Sequence, residues 1–402
     1  MASPNYEAQT QSLSAESVAK NDHLLIEILL RLPTNSLLTF KSVSKYWLSL
    51  ISSPYFCHRH TTLCNLASGL FLPRNPSDKT NLEFPFINLN RSSQISHPPP
   101  FRTLSFINDP SGITILQSCN GLLLCCNFGL DSRNNYYVCN PTTKHYTTLP
   151  PLPVNNEAAA STCKTGFSLA FDPSKSPHYK VVCVVNTDSM GQVEIYSSET
   201  GSWRLCTVSF PSDLLGYDFH FDGGIFWNGS LHWISIWDSV TAWGTRCALY
   251  FNVDEERMSE MPLPPVPEDW EWDDSCLDYF GESGGHLHLI GYEPSYTNFN
   301  VYEIERDYSS WFLKFHVVLG EVLIAFPQMI PSLHDFDMFD FSVVCVIRCE
   351  LEEPYLVMQI KGVLIVYYLK TKTFKKLCDI DHRDPDADGT LAYQYIESLA
   401  CI

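Results

Sequence analysis

Residues 21–60 read NDHLLIEILLRLPTNSLLTFKSVSKYWLSLISSPYFCHRH. Leu24, Leu25, Ile28, Leu29 and Leu32 recur at helical spacing. Asn21 and Asp22 stand ahead of them as N-cap residues, and Pro33 ends the run. A second short helix fits residues 37–43, with Leu37, Phe40 and Val43 on one side. A third fits residues 45–51, with Trp47, Leu50 and Ile51 apolar and Ser44 as its cap. A unit of this size buries too little surface to hide so much apolar side chain within itself. The surplus implies docking, onto the rest of the chain or onto a partner.

Outward from this stretch, residues 1–20 are polar, lack the apolar core of a signal peptide and read as a disordered tail. From about residue 65 the texture turns from helix to strand, with Gly, Pro, Asn, Asp and Ser clusters separating short apolar runs. A weak repeat is visible, in which an apolar strand leads to a polar turn and then to a large side chain. The large residues are Tyr146, Trp203, Met258, Trp311 and Phe374, spaced 57, 55, 53 and 63 apart. That spacing suits four-stranded propeller blades with inserted loops. Residues 68–107 supply one more unit, and residues 390–400 supply a strand to close the ring. The expected fold is therefore mostly β with a small N-terminal α domain: three helices, then a β-propeller of about six blades. Seven blades, or a pair of sandwiches, are the alternatives.

The helical stretch resembles the F-box. The residues that carry the resemblance are Ile28-Leu29, Leu32-Pro33, Leu37, Phe40, Val43, Lys45, Trp47, Ile51 and Phe56. The stretch departs from the usual pattern in lacking a Leu-Pro before Leu24 and in having Ser44 where many members have Cys. The remainder resembles the plant F-box-associated domain, a kelch-like propeller. Its signals are Ser118-Cys119-Asn120-Gly121-Leu122-Leu123, Asn140-Pro141-Thr142-Thr143, Phe171-Asp172-Pro173 and Glu397-Ser398-Leu399, in that order. Paired glycines of the kelch type occur only at Gly223-Gly224 and Gly284-Gly285. The resemblance implies an F-box over 21–60 and a propeller over 61–402. It further implies that Leu24, Leu25, Ile28, Leu29, Leu32, Pro33, Leu37, Phe40, Val43, Trp47 and Ile51 bind a Skp-type adaptor of a cullin ubiquitin ligase. The propeller would then capture a target protein. Such a subunit is not itself an enzyme, needs no cofactor or metal, and works in the cytoplasm or nucleus.

Composition narrows the partners. Of the net charge of −19, residues 1–20 carry −1, residues 21–60 carry +2 and the rest carry −20. An acidic body argues against nucleic acid, whose phosphates need a basic face, and leaves room for a target with a basic patch. No apolar run approaches the length of a membrane span. The 15 cysteines sit mostly in apolar runs without any Cys-x-x-Cys pair, which points to reduced, buried thiols.

Four motifs invite chemical readings, each with a plainer one beside it. Gly281-Glu282-Ser283-Gly284-Gly285 has nucleophile-elbow spacing, but a strand-like run follows where a helix is needed. Asp384, Asp386, Asp388 and Gly389 start like a calcium loop, yet Tyr395 stands where the bidentate Glu belongs. Cys57, His58, His60 and Cys64 match no zinc spacing. Asn228-Gly229-Ser230 fits a glycosylation acceptor without a secretory route. The best candidate for target recognition is the stretch 262–282, where Trp270, Trp272 and Tyr279 stand among acids, with Trp237 and Trp243 on a neighbouring loop. A sugar-binding or catalytic propeller carrying an F-box, and an adaptor-binding scaffold outside the ligase, are the competing functions.

Overall fold

The structure is a computed structural model. It describes residues 21–63, 67–73, 83–89, 101, 103–127, 134–153, 164–186, 190–211, 221–235, 247–263, 277–292, 298–329, 341–348, 352–360, 362–380 and 392–402. The chain opens with α1 (Asp22–Leu29), α2 (Thr34–Phe40), α3 (Lys45–Ile51) and α4 (Pro54–Leu63). The caps are those the sequence offers. Asn21 Oδ1 accepts from the Leu24 N–H at 3.2 Å, and Ser44 Oγ accepts from the Trp47 N–H at 3.1 Å. The second helix begins three residues earlier than expected, directly after Pro33. A fourth helix follows the expected three. Ser53 Oγ accepts from the Phe56 N–H at 3.3 Å, and Pro54 occupies the first turn, where its missing N–H costs nothing.

Strands follow in six sheets among the described residues. Five are four-stranded meanders. The first holds β3 (Ile113–Cys119), β4 (Leu122–Asn127), β5 (Tyr136–Asn140) and β6 (His145–Thr148). The second holds β7 (Lys164–Ala170), β8 (Lys180–Asn186), β9 (Met190–Ser197) and β10 (Ser202–Pro211). The third holds β11 (Ile225–Trp227), β12 (Ser230–Ser235), β13 (Cys247–Asn252) and β14 (Arg257–Glu260). The fourth holds β15 (Leu277–Ser283), β16 (His286–Tyr292), β17 (Asn298–Ile304) and β18 (Trp311–Val318), with a short helix α5 (Gly320–Ala325) after it. The fifth holds β19 (Phe341–Ile347), β20 (Tyr355–Ile360), β21 (Val363–Tyr368) and β22 (Phe374–Asp379). The sixth sheet is shared by the two ends of the propeller: β1 (Ala67–Phe71) lies between β2 (Phe86–Asn88) and β23 (Tyr393–Ile396).

This is the six-bladed propeller that the repeat predicts. The five marker residues all fall at the start of an outermost strand, β6, β10, β14, β18 or β22. Two of them tie their blade to the one before: Trp203 Nε1 donates to the Pro150 carbonyl and Trp311 Nε1 to that of Pro262. Each of the six seams holds its own apolar cluster. Inner and middle strands are covered on both faces, so β4 reads as the run Leu-Leu-Leu-Cys-Cys, buried throughout. Outer strands such as β6 are polar and β22 carries Lys375 and Lys376, which blunts the edges.

The family-like motifs of the sequence converge on one junction. Ser118 Oγ donates to the Gln394 carbonyl at 2.5 Å, and Asn120 Nδ2 donates to that of Phe171. Asn140, fully buried, donates to the carbonyls of Ser398 and Ala400 and accepts from the Thr142 and Thr143 N–H groups. Gly121 has φ of +89°, and a Cβ there would lie 2.4 Å from Ser398 Cβ, so only glycine fits. Leu399 then leaves the propeller and enters the core of the helical unit, beside Leu25, Leu29, Leu30, Leu37, Ile51, Phe56 and Cys57. The His58 ring bonds the Pro173 carbonyl at the same contact.

Other expectations resolve as structural. Gly284-Gly285 is a two-residue hairpin turn between strands, and Ser283, 3% exposed, accepts from the Arg348 N–H, so the elbow spacing marks a turn. The Asn228 side chain is engaged by the Arg306 carbonyl. Residues 384–389 and Cys64 lie outside the described residues. The ten cysteines whose side chains are described are all free; eight are buried, Cys378 is half-buried and Cys401 is exposed, the last against expectation.

His232 and His288 are fully buried, and burial holds both rings down at about 4 from an ordinary value of 6.5. The unfolded chain therefore takes up protons that the folded chain refuses as pH falls from 6.5 towards 4. Each ring's full stability is present above 6.5 and about 3 kcal/mol of it is lost by pH 4. Urea midpoints should fall steadily from pH 7 to pH 5, less steeply in His232→Gln; a flat profile contradicts this assignment. Independently, Leu399→Ala should cost about 2–5 kcal/mol, seen as release of the helical unit to limited proteolysis while the propeller persists.

Candidate partner-binding surfaces

Two surfaces remain once these contacts are counted. On the helical unit, α1 places adjacent leucine-type residues on opposite sides. Leu25 and Leu29 face inward, whereas Leu24 and Ile28, one helical turn apart, are each 47% exposed. Val43 is 61% exposed, and Pro33 is exposed as well. Leu32, Phe40 and Trp47 are half-buried at the margin of the core, with the Phe40 and Trp47 rings meeting edge to face at 5.3 Å. The Tyr46 hydroxyl donates to Asp22 Oδ1 at 2.5 Å and draws the start of α3 against the start of α1. Leu24 and Val43 thus lie within a turn of one contact. Arg59 Nη1 donates to Glu27 Oε1 at 2.7 Å and braces α4 on α1.

The expected adaptor set therefore splits. Leu25, Leu29, Leu37 and Ile51 are at most 5% exposed and hold the unit together, so a partner cannot touch them without unfolding it. Leu24, Ile28, Pro33 and Val43 are available, with Leu32, Phe40 and Trp47 partly so. Tyr46, Leu48 and Tyr55 are exposed apolar residues that the periodicity argument passed over. The signal for the first two was present: five of the seven residues of α3 are apolar, more than its one inward face can bury.

The second surface is an end of the propeller. The C-terminal ends of the inner strands meet at one end. Asn120 bonds Phe171, Trp227 Nε1 bonds the Gly285 carbonyl, and the Arg348 N–H bonds Ser283. This is the end with tight turns, and the helical unit sits on it through Leu399 and His58. Antiparallel meanders send the outer-to-inner connections, and those between the two middle strands, to the opposite end. The segments 236–246 and 264–276, which hold Trp237, Trp243, Trp270 and Trp272, are two of these connections; all four tryptophans lie outside the described residues. Tyr279 is a correction. The strand β15 begins at Leu277, inside the acidic stretch, and Tyr279 belongs to this inner strand, half-buried between blades. Phe221, just ahead of the third blade, is 4% exposed and packs edge to face on Trp233.

Between the inner strands lies a cavity of about 350 Å³, lined by Gln117, Asn120, Asp222, Tyr279, Glu282 and Gln394 among others. Its polar groups serve the ring. Gln117 donates to the Leu169 and Gly224 carbonyls and accepts from the Leu169 N–H. Gln394 donates to the Glu282 carbonyl. Burial pushes the Glu282 carboxyl up, and its Oε1 accepts from the Gly285 N–H. Nearby, burial of Glu303 opposes its charge, but His286, Arg348 and Lys314 at 2.5, 2.6 and 3.5 Å overcome that and hold it at about 2. Among the described residues no three metal-ligating side chains converge, and no helix is long and apolar enough to cross a membrane.

Comparison with known proteins agrees with both parts. Residues 21–59 match the F-box domain, and residues 81–402 match the F-box associated beta propeller domain. The chain is 34% identical to F-box protein At5g07610 of Arabidopsis thaliana over 423 aligned residues, covering 97% of this chain and 94% of that one. It is 30% identical to F-box only protein 8 of the same plant, over 60% of this chain and 79% of that one. Among solved structures, TolB from Acinetobacter baumannii aligns with a TM-score of 0.39 at 10% identity, covering 81% of this chain and 65% of that one.

The split within α1 is testable by thermal melting of the full chain. Ile28→Asp should leave stability within about 0.5 kcal/mol, because the side chain is already in water. Leu29→Ala, one residue on, should cost about 2–5 kcal/mol. Equal effects at the two positions would mean that the helix is rotated from the orientation described.

Proposed function

The chain belongs to the F-box proteins that carry an F-box associated β-propeller, and we propose that it acts as the substrate receptor of a Skp–cullin–F-box ubiquitin ligase. The observation that carries this reading is the unpartnered apolar face of Leu24, Ile28 and Val43, on a unit whose other side is clamped to the propeller. A Skp-type adaptor would cover that face, with Leu48, Tyr46 and Tyr55 at its margin and Pro33, Leu32, Phe40 and Trp47 filling between. Leu25, Leu29, Leu37 and Ile51 would support the face from beneath.

The receptor performs no bond chemistry in this reading. It holds a target protein near the ubiquitin-loaded partner and so raises the effective concentration of target lysines. The end of the propeller opposite the helices would do the holding. Two of the connections that begin and end there are strongly acidic: Glu268, Asp269, Glu271, Asp273 and Asp274 stand in 264–276 with no Lys or Arg. Asp335, Asp337 and Asp340 stand in 330–340. A target with a basic patch would be steered to that end. Reduced thiols throughout the body suit the cytoplasm or nucleus.

Ile28→Asp combined with Val43→Asp should abolish co-purification of a Skp-type adaptor while the far-ultraviolet spectrum and melting curve stay those of the wild type. Undiminished adaptor capture by this folded double variant would remove the basis of the proposal.

A further inference from the structure

The cavity of about 350 Å³ takes its lining from five of the six blades, through Gln117 of β3, Phe226 of β11, Glu282 of β15, Val344 of β19 and Gln394 of β23 among others. No Lys, Arg or His lines it among the described residues. Its side-chain donors are turned to the ring. Gln117 donates to the Leu169 and Gly224 carbonyls, Asn120 to that of Phe171, Ser118 to that of Gln394, and Gln394 to that of Glu282. Three acceptors are left over. Asn120 Oδ1, Gln394 Oε1 and the second carboxyl oxygen of Glu282 accept no hydrogen bond among the described residues. We propose that the cavity binds a small organic ammonium ion of the polyamine class, with Glu282 as its counter-ion.

The lining selects this class by what it offers. A primary ammonium has three donors and no acceptor, so it matches a wall that presents acceptors. An anion would meet the Asp222 and Glu282 carboxyls with no basic group to offset them. The half-buried rings of Phe226, Tyr279 and Phe280 add aromatic surface, which attracts cations. Ile115 and Ile225 give an alkyl chain an apolar wall. The volume falls in the range of small-molecule sites, and the net charge of −19 draws cations towards the molecule. A ligand held between inner strands of several blades would also fasten the ring, so its binding should raise the melting temperature. None of this depends on what covers the helical unit.

The charge of Glu282 then couples to the ligand. Burial raises its carboxyl above the ordinary value of 4.5, against the Gly285 N–H and the His286 charge. An ammonium ion pairs with the carboxylate and not with the neutral acid, so binding should strengthen as pH rises and should release a proton at the acid end. The other charged or titratable groups around this carboxyl are Cys119 on β3, Tyr279 on its own strand, His286 on β16 and Arg348 beyond β19, with Asp222 in the same lining. Burial pushes the Cys119 thiol and the Tyr279 hydroxyl up, so neither titrates in this window.

The test titrates the full chain with spermidine, by calorimetry and by thermal melting. One equivalent should bind, raise the melting temperature, and bind more tightly as pH rises from 5, with proton release seen in buffers of different ionisation heat. Glu282→Gln keeps the shape and an acceptor for the Gly285 N–H, and should weaken binding about tenfold or more and abolish the pH dependence. Glu255→Gln removes an exposed acid from a distant turn and should change affinity by less than about twofold. An uncharged probe of similar length, 1,8-octanediol, should neither bind nor stabilise. Equal weakening by the two Gln variants would reduce the effect to the charge of the body and overturn the site. A pH dependence that survives in Glu282→Gln would assign it to His286 and remove the counter-ion. Octanediol matching spermidine, or spermidine leaving the wild-type melt unmoved, would likewise end the proposal, and the last two readings need no variant to fold.

Discussion

The pairing of Tyr393–Ile396 with Ala67–Phe71 is the constraint on which the rest of the molecule rests. Without β23, the first blade would be β1 beside the three-residue β2, a ribbon too small to be stable alone. Both seams next to that blade would then open, because Phe71 and Tyr395 fill one while Leu70 and Leu72 fill the other. Closing the ring joins strands more than 300 residues apart, as the Ser68 to Tyr395 bond records with its separation of 327. Such closure comes late and slowly in folding, and it must be secured once made. The polar groups around Asn140 secure it. A fully buried Asn whose amide and carbonyl are all engaged is costly to leave half-paired, so the tail has one register there and no near alternative.

The same few residues then decide how the F-box sits. Ser398 is held by Asn140 and Leu399 is inserted among the helices. The tail is too short between these points to act as a flexible tether. The helical unit is therefore held at a fixed place on the propeller, although its sequence precedes the first strand and its last partner comes at the chain's far end.

Much of this was legible in the sequence, for identifiable reasons. Asn21 and Ser44 announce helix starts because their side chains replace missing backbone partners. The blade repeat was visible because each outer strand needs a large residue to lean on the preceding blade, as Trp203 and Trp311 do. The order of four weak motifs was informative because all four serve a single junction. What periodicity could not supply is the choice within an apolar pair. Leu24 and Leu25, or Ile28 and Leu29, fit a helical stripe equally well, and only packing against Leu37, Phe56 and Leu399 assigns the inner member. The fourth helix was missed because its apolar content is low and its signal was the Ser53-Pro54 pair. The acidic run gives no mark where β15 begins, so nothing in the residues around Tyr279 separates strand from loop.

The geometry of meanders also separates the two surfaces without any special device. Every blade runs its inner strand from the open end to the end that carries the helices, so the outer-to-inner connections collect at the open end. An inner strand of seven residues such as β3 spans about 23 Å, which sets the least distance between a target at the open end and the helices on the turns. The acidic residues of 264–276 and 330–340 attach at the open end, and the modest positive charge of residues 21–60 stands at the other. At that separation and physiological salt the two charge groups are screened from each other, so each end can select its partner independently. A rigid spacer of this kind fixes where a bound target is presented relative to whatever covers Leu24, Ile28 and Val43. In the proposed reading, presentation rather than chemistry is what this fold supplies.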